Sequence, residues 1–298
     1  MPRQTQRACH GDLSRAGSGT RRAVVPLVNL DSTGAGGPVG TPGCTFGLEV
    51  SAPGHGAGDG NSGRARVASA PGRIFRAAGR RGAKRLAQAI LPQSVVAWHG
   101  RETRPGTGGV STRTVALTFD DGPTELTLAY LEVLARFGVR ATFFVVGEQC
   151  AARPDLVSAI ANAGHELAGH GYTHRQFPGL SAEVLREELT RTAALLPRCF
   201  CSRRLVRPPH GAVSLSSIFT CATAGFTTAL WSHDSGDWCT TSAEGVCAAL
   251  DDERALVPGS VVLLHEGQPW TLRALPTVLG KLSEAGHDLV TMGELLDG

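Results

Sequence analysis

The chain has 298 residues, 42% of them hydrophobic, and a formal net charge of +3, figures that describe a globular protein holding one large domain or two small ones. No window reaches the ~18 consecutive apolar residues of a membrane span. Residues 1–30 contain no apolar run long enough for a signal-peptide core, so the cytoplasm is the default location, with the envelope open if the true start lies further downstream.

Charge and glycine divide the chain. Residues 1–110 carry 15 Lys and Arg against 5 Asp and Glu and hold 21 of the 38 glycines, whereas the remainder carries 14 against 21. Residues 1–72 show few periodic apolar patterns and bury too little apolar surface to offset backbone entropy, so a low-complexity, disordered leader is expected there. Residues 73–112 read as a basic helix followed by a Gly/Pro/Thr linker. Over 73–90, Ile74, Phe75, Ala78, Leu86, Ala89 and Ile90 interleave with Arg76, Arg80, Arg81, Lys84 and Arg85. A solvated connector is the favoured use of this stretch, with weak contact at an anionic membrane surface as the sharper one. Phe75 is its sole aromatic, so no nucleic-acid partner is expected. Val95 to Trp98 reads as a short extra strand or a packing segment.

From Val115 the pattern becomes regular. VALTFDDGP is a run of β-formers closed by Gly122 and Pro123, hence a buried strand ending in a turn. Strands follow at 141–146, 165–168, 205–206, 227–231, 260–264 and 288–291. Helices at 125–137, 154–163, 182–196, 215–224, 243–250 and 271–285 separate them, several stopped by glycine. This alternation predicts an α/β fold, a parallel sheet covered by helices. We expect a distorted (β/α) barrel of about seven strands, closed or incomplete. Asp120, His170, Arg207, Asp234 and His265 follow strands, and so share the C-terminal edge where barrels carry chemistry.

The acid pair Asp120 and Asp121 sits at a strand tip, where alternation sends neighbouring side chains to different faces. Helix capping is the bland alternative. His170 and His174 form His-x-x-x-His, a spacing that places both imidazoles on one side of a helical turn. With Asp121 they make a facial set of two imidazoles and one carboxylate that leaves positions for water. Zinc is the default ion, with cobalt or manganese chemically reasonable. The eight cysteines form no Cys-x-x-Cys pair and read mostly as buried thiols, with at most one disulfide among the last six.

Five motifs stand in order over about 185 residues: TFDDGP at 118–123, HGYTH at 170–174, RPPHG at 207–211, DSGDW at 234–238 and VVLLH at 261–265. From about residue 114 onward the chain resembles the polysaccharide deacetylase family of metal-dependent carbohydrate esterases, in its chitooligosaccharide-deacetylase type. The resemblance implies Asp120 as catalytic base, with Asp121, His170 and His174 as metal ligands. It implies Arg207 as the partner of Asp120, the backbone N–H of His210 (after Pro209) as oxyanion donor, and Trp238 and Leu263 as substrate-lining residues. His265 would be the general acid, tuned by Asp234 or Asp237, which the sequence does not separate. His210 stands where the family often has tyrosine. The implied reaction is removal of acetyl groups from N-acetylated, GlcNAc-type oligo- or polysaccharides. The alternatives are an O-acetyl carbohydrate esterase and a non-catalytic carbohydrate-binding relative.

Overall fold

The structure, a computed structural model, describes residues 91–100, 113–197, 203–251 and 256–298. The expected leader, the basic helix at 73–90 and most of the linker lie outside the described residues. The last stretch before the linker does not stand apart, however. Strand β1 (Val96–Ala97) pairs in parallel with β6 (Thr227–Ala229) and joins the sheet.

The central strand is β2 (Thr114–Gly122), flanked by β3 (Thr142–Val145) and β8 (Val261–His265), with β9 (Asp288–Val290) beside its first half. The order continues from β3 through β4 (Glu166–Gly169) and β5 (Leu205–Val206) to β6 and β1, while β7 (His233–Asp234) flanks β8 at the other end. Every paired strand is parallel. Strand β6, next to the end strand β1, and β7 at the other end of this order are separated by only Leu230, Trp231 and Ser232; the Leu230 N–H donates to Ala97 of β1 (2.7 Å) and the Ser232 N–H to Val261 of β8 (3.0 Å). One segment therefore touches both ends of the sheet and curls it into a distorted barrel. The closing side is built from strands of two or three residues. The sheet has nine strands: the seven expected from Val115 onward, β1 within the Val95–Trp98 stretch, and β7, which is too short to carry a periodicity.

Alternation along β2 separates two cores. Val115, Leu117 and Phe119 pack outward with Tyr130 and Leu134 of α1 (Thr127–Phe137) and Leu275 and Leu279 of α7 (Pro269–Glu284). Ala116 faces the interior with Phe144, Ala168, Leu205 and Ala229. The flank is completed by α2 (Gly147–Ala152), α3 (Pro154–Asn162), α4 (Ala182–Leu195), α5 (Leu215–Thr223) and α6 (Ala243–Ala249). Ser181 caps α4 by accepting from the Val184 N–H, and Gly138 closes α1 at φ 65°.

A helix that the periodicity does not reveal, α8 (Met292–Asp297), plugs the lower end of the barrel with Met292, Leu295 and Leu296. Its first N–H groups donate to Thr142 Oγ1 (2.7 Å) and to Glu166 (2.9 Å), a buried carboxylate at the positive end of a helix. The opposite, C-terminal rim is left for chemistry. Among the described residues no helix is long and apolar enough to cross a membrane. Of the eight cysteines, the four described ones, Cys150, Cys221, Cys239 and Cys247, are free thiols.

Candidate metal and acid–base centre

Strand β2 delivers Asp120 to the interior face in register with His265 at the tip of β8. Asp120 is buried, and its Oδ1 accepts from the Arg207 guanidinium at 2.6 Å. Arg207 is 0% exposed and also donates to Thr118 Oγ1 (2.8 Å) and the Leu230 carbonyl (3.1 Å). Its guanidinium lies over the rings of Phe144 (4.0 Å) and Trp231 (5.6 Å). A buried carboxylate and a buried guanidinium each make the other tolerable, and stacking fixes the fork.

Past Asp120 the strand bulges, and Asp121 takes a left-handed φ of 71°. That turn aims Asp121 Oδ1 at the Nε2 atoms of His170 (3.4 Å) and His174 (3.0 Å). The histidine segment is not the helical turn that its spacing predicts. His170 directly follows β4, Gly171 turns at φ 76°, and His174 sits at φ 58° in irregular backbone. The imidazoles converge all the same, with ring centroids 5.0 Å apart. Asp121, His174 and His210 (φ 57°) are the non-glycine residues with positive φ among those described. All three lie at this centre, and such backbone costs on the order of 1–3 kcal/mol each, held in place by its surroundings.

The donor set fits a divalent cation. One ligand atom from each of Asp121, His170 and His174 lies within 4.8 Å of the others. His170 Nδ1 is 2.8 Å from the Arg207 carbonyl, which can only accept, so Nδ1 carries the proton and a neutral imidazole turns a bare Nε2 toward Asp121. Asp121 Oδ1 is buried without a hydrogen-bond partner. A lone pair facing a carboxylate oxygen is repulsive unless a cation lies between them. Without a cation, burial pushes the Asp121 carboxyl up, but imidazolium forms of His170 and His174, each donating an Nε2–H to Oδ1, would outweigh it and hold the group well below the usual carboxylate range.

Across the rim, His265 is held by Asp237. Asp237 is 0% exposed; its carboxylate accepts from the His265 ring Nδ1–H (2.7 Å), the His265 backbone N–H (2.7 Å) and the Thr271 hydroxyl (2.9 Å). Burial disfavours the His265 cation, but the Asp237 hydrogen bond and charge outweigh it, so its pKa is raised. Asp234 makes no such contact: its Oδ1 accepts from the Gly236 N–H (3.0 Å) and the Trp238 indole (3.3 Å). Trp238 is 53% exposed, and Leu263 lies buried two residues before His265 on the same strand. Pro209 and His210 form a short turn (Pro209–Gly211) that brings the His210 ring to 5.0 Å from that of His174. Burial and the neighbouring His174 charge lower the His210 pKa.

Two glutamates that sequence reading leaves unassigned support these loops. Glu266 is buried beneath the acid turn; its N–H donates to the Asp120 carbonyl (2.8 Å), and its carboxylate accepts from the Thr124 N–H (3.1 Å) and the Thr127 hydroxyl. Burial raises its pKa. Glu188, which reads as one of several acids near a helix start, turns inward from α4 to the histidine loop. Neither residue type nor spacing marks either one, because their partners are 13 or more residues away.

A curled parallel barrel bearing an Asp–His–His donor set beside a carboxylate–arginine pair defines a metal-assisted hydrolase scaffold. The family model described as polysaccharide deacetylase matches residues 107–229. A chitooligosaccharide deacetylase of Sinorhizobium fredii is 42% identical over 173 residues, 56% of this chain and 76% of the relative. Another from a Bradyrhizobium species is 35% identical over 209 residues, 63% of this chain and 93% of the relative. The crystal structure of a peptidoglycan N-acetylglucosamine deacetylase superposes with a TM-score of 0.61 at 28% identity, covering 68% of this chain and 94% of that one. The chain belongs to the polysaccharide deacetylase family.

Proposed function

We propose that the chain is a metal-dependent de-N-acetylase acting on GlcNAc-type oligo- or polysaccharides, with its chemistry in residues 113–298. The observation that carries this reading is the meeting, on one barrel rim, of the Asp120–Arg207 pair, the Asp121–His170–His174 donors and the Asp237–His265 pair. Asp121, His170 and His174 would hold the ion, zinc by default for one carboxylate and two imidazoles, with cobalt or manganese also suited. When bound, such an ion lowers the pKa of water toward ~7 and polarises the amide carbonyl.

The chain's own residues supply the rest. Asp120, paired with the Arg207 guanidinium at 2.6 Å, takes the proton from the attacking water. The His210 N–H faces the oxyanion that develops on the carbonyl carbon's oxygen, a donor worth roughly 3 kcal/mol. His265, whose cationic form the Asp237 hydrogen bond favours, gives its proton to the nitrogen as the carbon–nitrogen bond breaks, leaving acetate and a free amino sugar. Leu263 lines the place of the acetyl methyl, and Pro209 and Trp238 border the sugar.

The test is acetate release from chitooligosaccharides, peptidoglycan fragments and acetylated xylan, with and without a chelator and after reloading with zinc, cobalt or manganese. Metal-dependent release from the N-acetylated glycans is expected. Release from xylan alone would make the chain an O-acetyl esterase, and full activity in the chelated protein would end the metal reading. Asp121→Asn and His170→Ala should lose bound metal and acetate release together.

A further inference from the structure

We propose that Glu188 is a positioning residue that holds the histidine loop in its ligand geometry and thereby sets how tightly the centre retains a divalent cation. The inference rests on Asp121, His170 and His174 being the metal donors.

The segment from His170 to Arg175 has no regular hydrogen bonding of its own and passes through two left-handed residues, Gly171 and His174. Its shape is imposed from outside. From one side the Gly147 and Glu148 N–H groups, at the start of α2, donate to the carbonyls of Gly171 (3.0 Å) and Tyr172 (2.9 Å). From the other side Glu188 accepts four hydrogen bonds from the loop. Its Oε2 accepts from the N–H groups of Tyr172 (2.6 Å) and Thr173 (2.9 Å). Its Oε1 accepts from the Thr173 hydroxyl (2.6 Å) and from Arg175 (3.2 Å). Arg191, nearly one turn further along α4, lies 3.7 Å over the Tyr172 ring and clamps the same loop.

A glutamate buried to 5% exposure costs desolvation unless its oxygens are fully engaged, and here all four contacts go to the loop. The two histidines do not depend on it equally. His170 is fixed independently, by β4 and by the Arg207 carbonyl. His174 directly follows the residue that Glu188 holds by both backbone and hydroxyl, and it sits in a conformation that an unrestrained histidine leaves readily. Loosening Glu188 therefore removes one donor of three while leaving Asp120, Arg207 and His265 in place.

The experiment is zinc affinity by chelator competition on the full chain, for the parent, Glu188→Gln and Glu183→Gln, with kcat at saturating zinc and the Tm of the metal-free proteins. Gln is isosteric but replaces one acceptor oxygen with a donor that meets either the loop N–H groups or Thr173 and Arg175. We expect zinc to bind Glu188→Gln about 10–100-fold more weakly, the range for partners that orient metal ligands. The kcat at saturating zinc should stay near the parent value, and Glu183→Gln, exposed in the first turn of the same helix, should match the parent. Parent-like zinc affinity in Glu188→Gln, with or without a lower Tm, overturns the inference and leaves a structural role only. If that variant does not fold, Glu188→Asp, which keeps the charge and shortens the reach, carries the same test with the same two outcomes. Absence of zinc binding in the parent overturns the metal reading itself, before any Glu188 variant is compared.

Discussion

His170 and Arg207 meet through a 2.8 Å hydrogen bond in which the imidazole Nδ1–H donates to the arginine carbonyl, while the guanidinium of the same arginine holds Asp120 at 2.6 Å. One residue thus fixes the tautomer of a metal donor through its backbone and the charge of the candidate base through its side chain. The two roles are separable by mutation.

Arg207→Lys keeps the carbonyl and the positive charge but loses the planar fork that reaches Thr118, Asp120 and Leu230 together. Acetate release should fall by about 100-fold, the scale for a misplaced reacting group. Zinc stoichiometry should remain that of the parent. Measuring both on one preparation checks the division of roles; loss of metal along with activity would refute it.

The raised pKa of His265 predicts a pH profile. As general acid His265 acts while protonated, so kcat falls as pH rises through its pKa. Asp237→Asn removes the charge and the hydrogen bond that raise this pKa and should shift the descending alkaline limb to lower pH. Asp234→Asn should leave the limb where it is, since Asp234 contacts Gly236 and Trp238 instead. The reverse pattern in kcat against pH would transfer the tuning role to Asp234.

His165 predicts acid sensitivity away from the rim. Burial, with the nearby Arg140 charge, lowers its pKa from 6.5 to about 4. Its Nδ1 accepts from the Ala141 N–H at 3.1 Å, so protonation sets donor against donor. Between those values the unfolded chain binds more protons than the folded one, and stability therefore drops as pH falls through the window, by up to about 3 kcal/mol. His165→Asn, which keeps an acceptor without the titration, should flatten this dependence in urea melts at stepped pH. An unchanged slope would exclude His165 as its source.

Gly122 predicts a packing limit at the acid turn. A Cβ there would collide with the Glu266 carboxylate. Gly122→Ala should destabilise the fold by about 1–3 kcal/mol through overpacking. Because Glu266 also holds Thr124 and Thr127, the collision shows as non-additivity: Glu266→Ala should cost less in the Gly122→Ala background than in the parent, and additive losses would contradict it.

Much of the fold was legible because strand and helix periodicities persist over four or more residues. The outward Val115–Leu117–Phe119 series and the Ser181 cap are local properties that the order of residues expresses directly. Strand β7 and helix α8 escaped, and β1 stayed open between a strand and a packing segment, because they are held by distant partners. Val96 depends on Thr228, Asp234 on Leu263, and the start of α8 on Thr142 and Glu166.

At the site, sequence by itself determined the donor types and their order: a carboxylate pair at a strand tip, two histidines four apart, an arginine and a later histidine at other strand ends. It also pointed to the right rim, because strand-end residues of a parallel barrel share one edge. Only the tertiary structure decided which acid meets which partner. Asp237 rather than Asp234 reached His265, and the histidines converged through a left-handed loop rather than a helical turn. Those choices depend on side-chain direction and on backbone conformations that L-residues adopt only under restraint. The restraint comes from Glu188, Glu266 and Arg207, whose partners are far away in the chain.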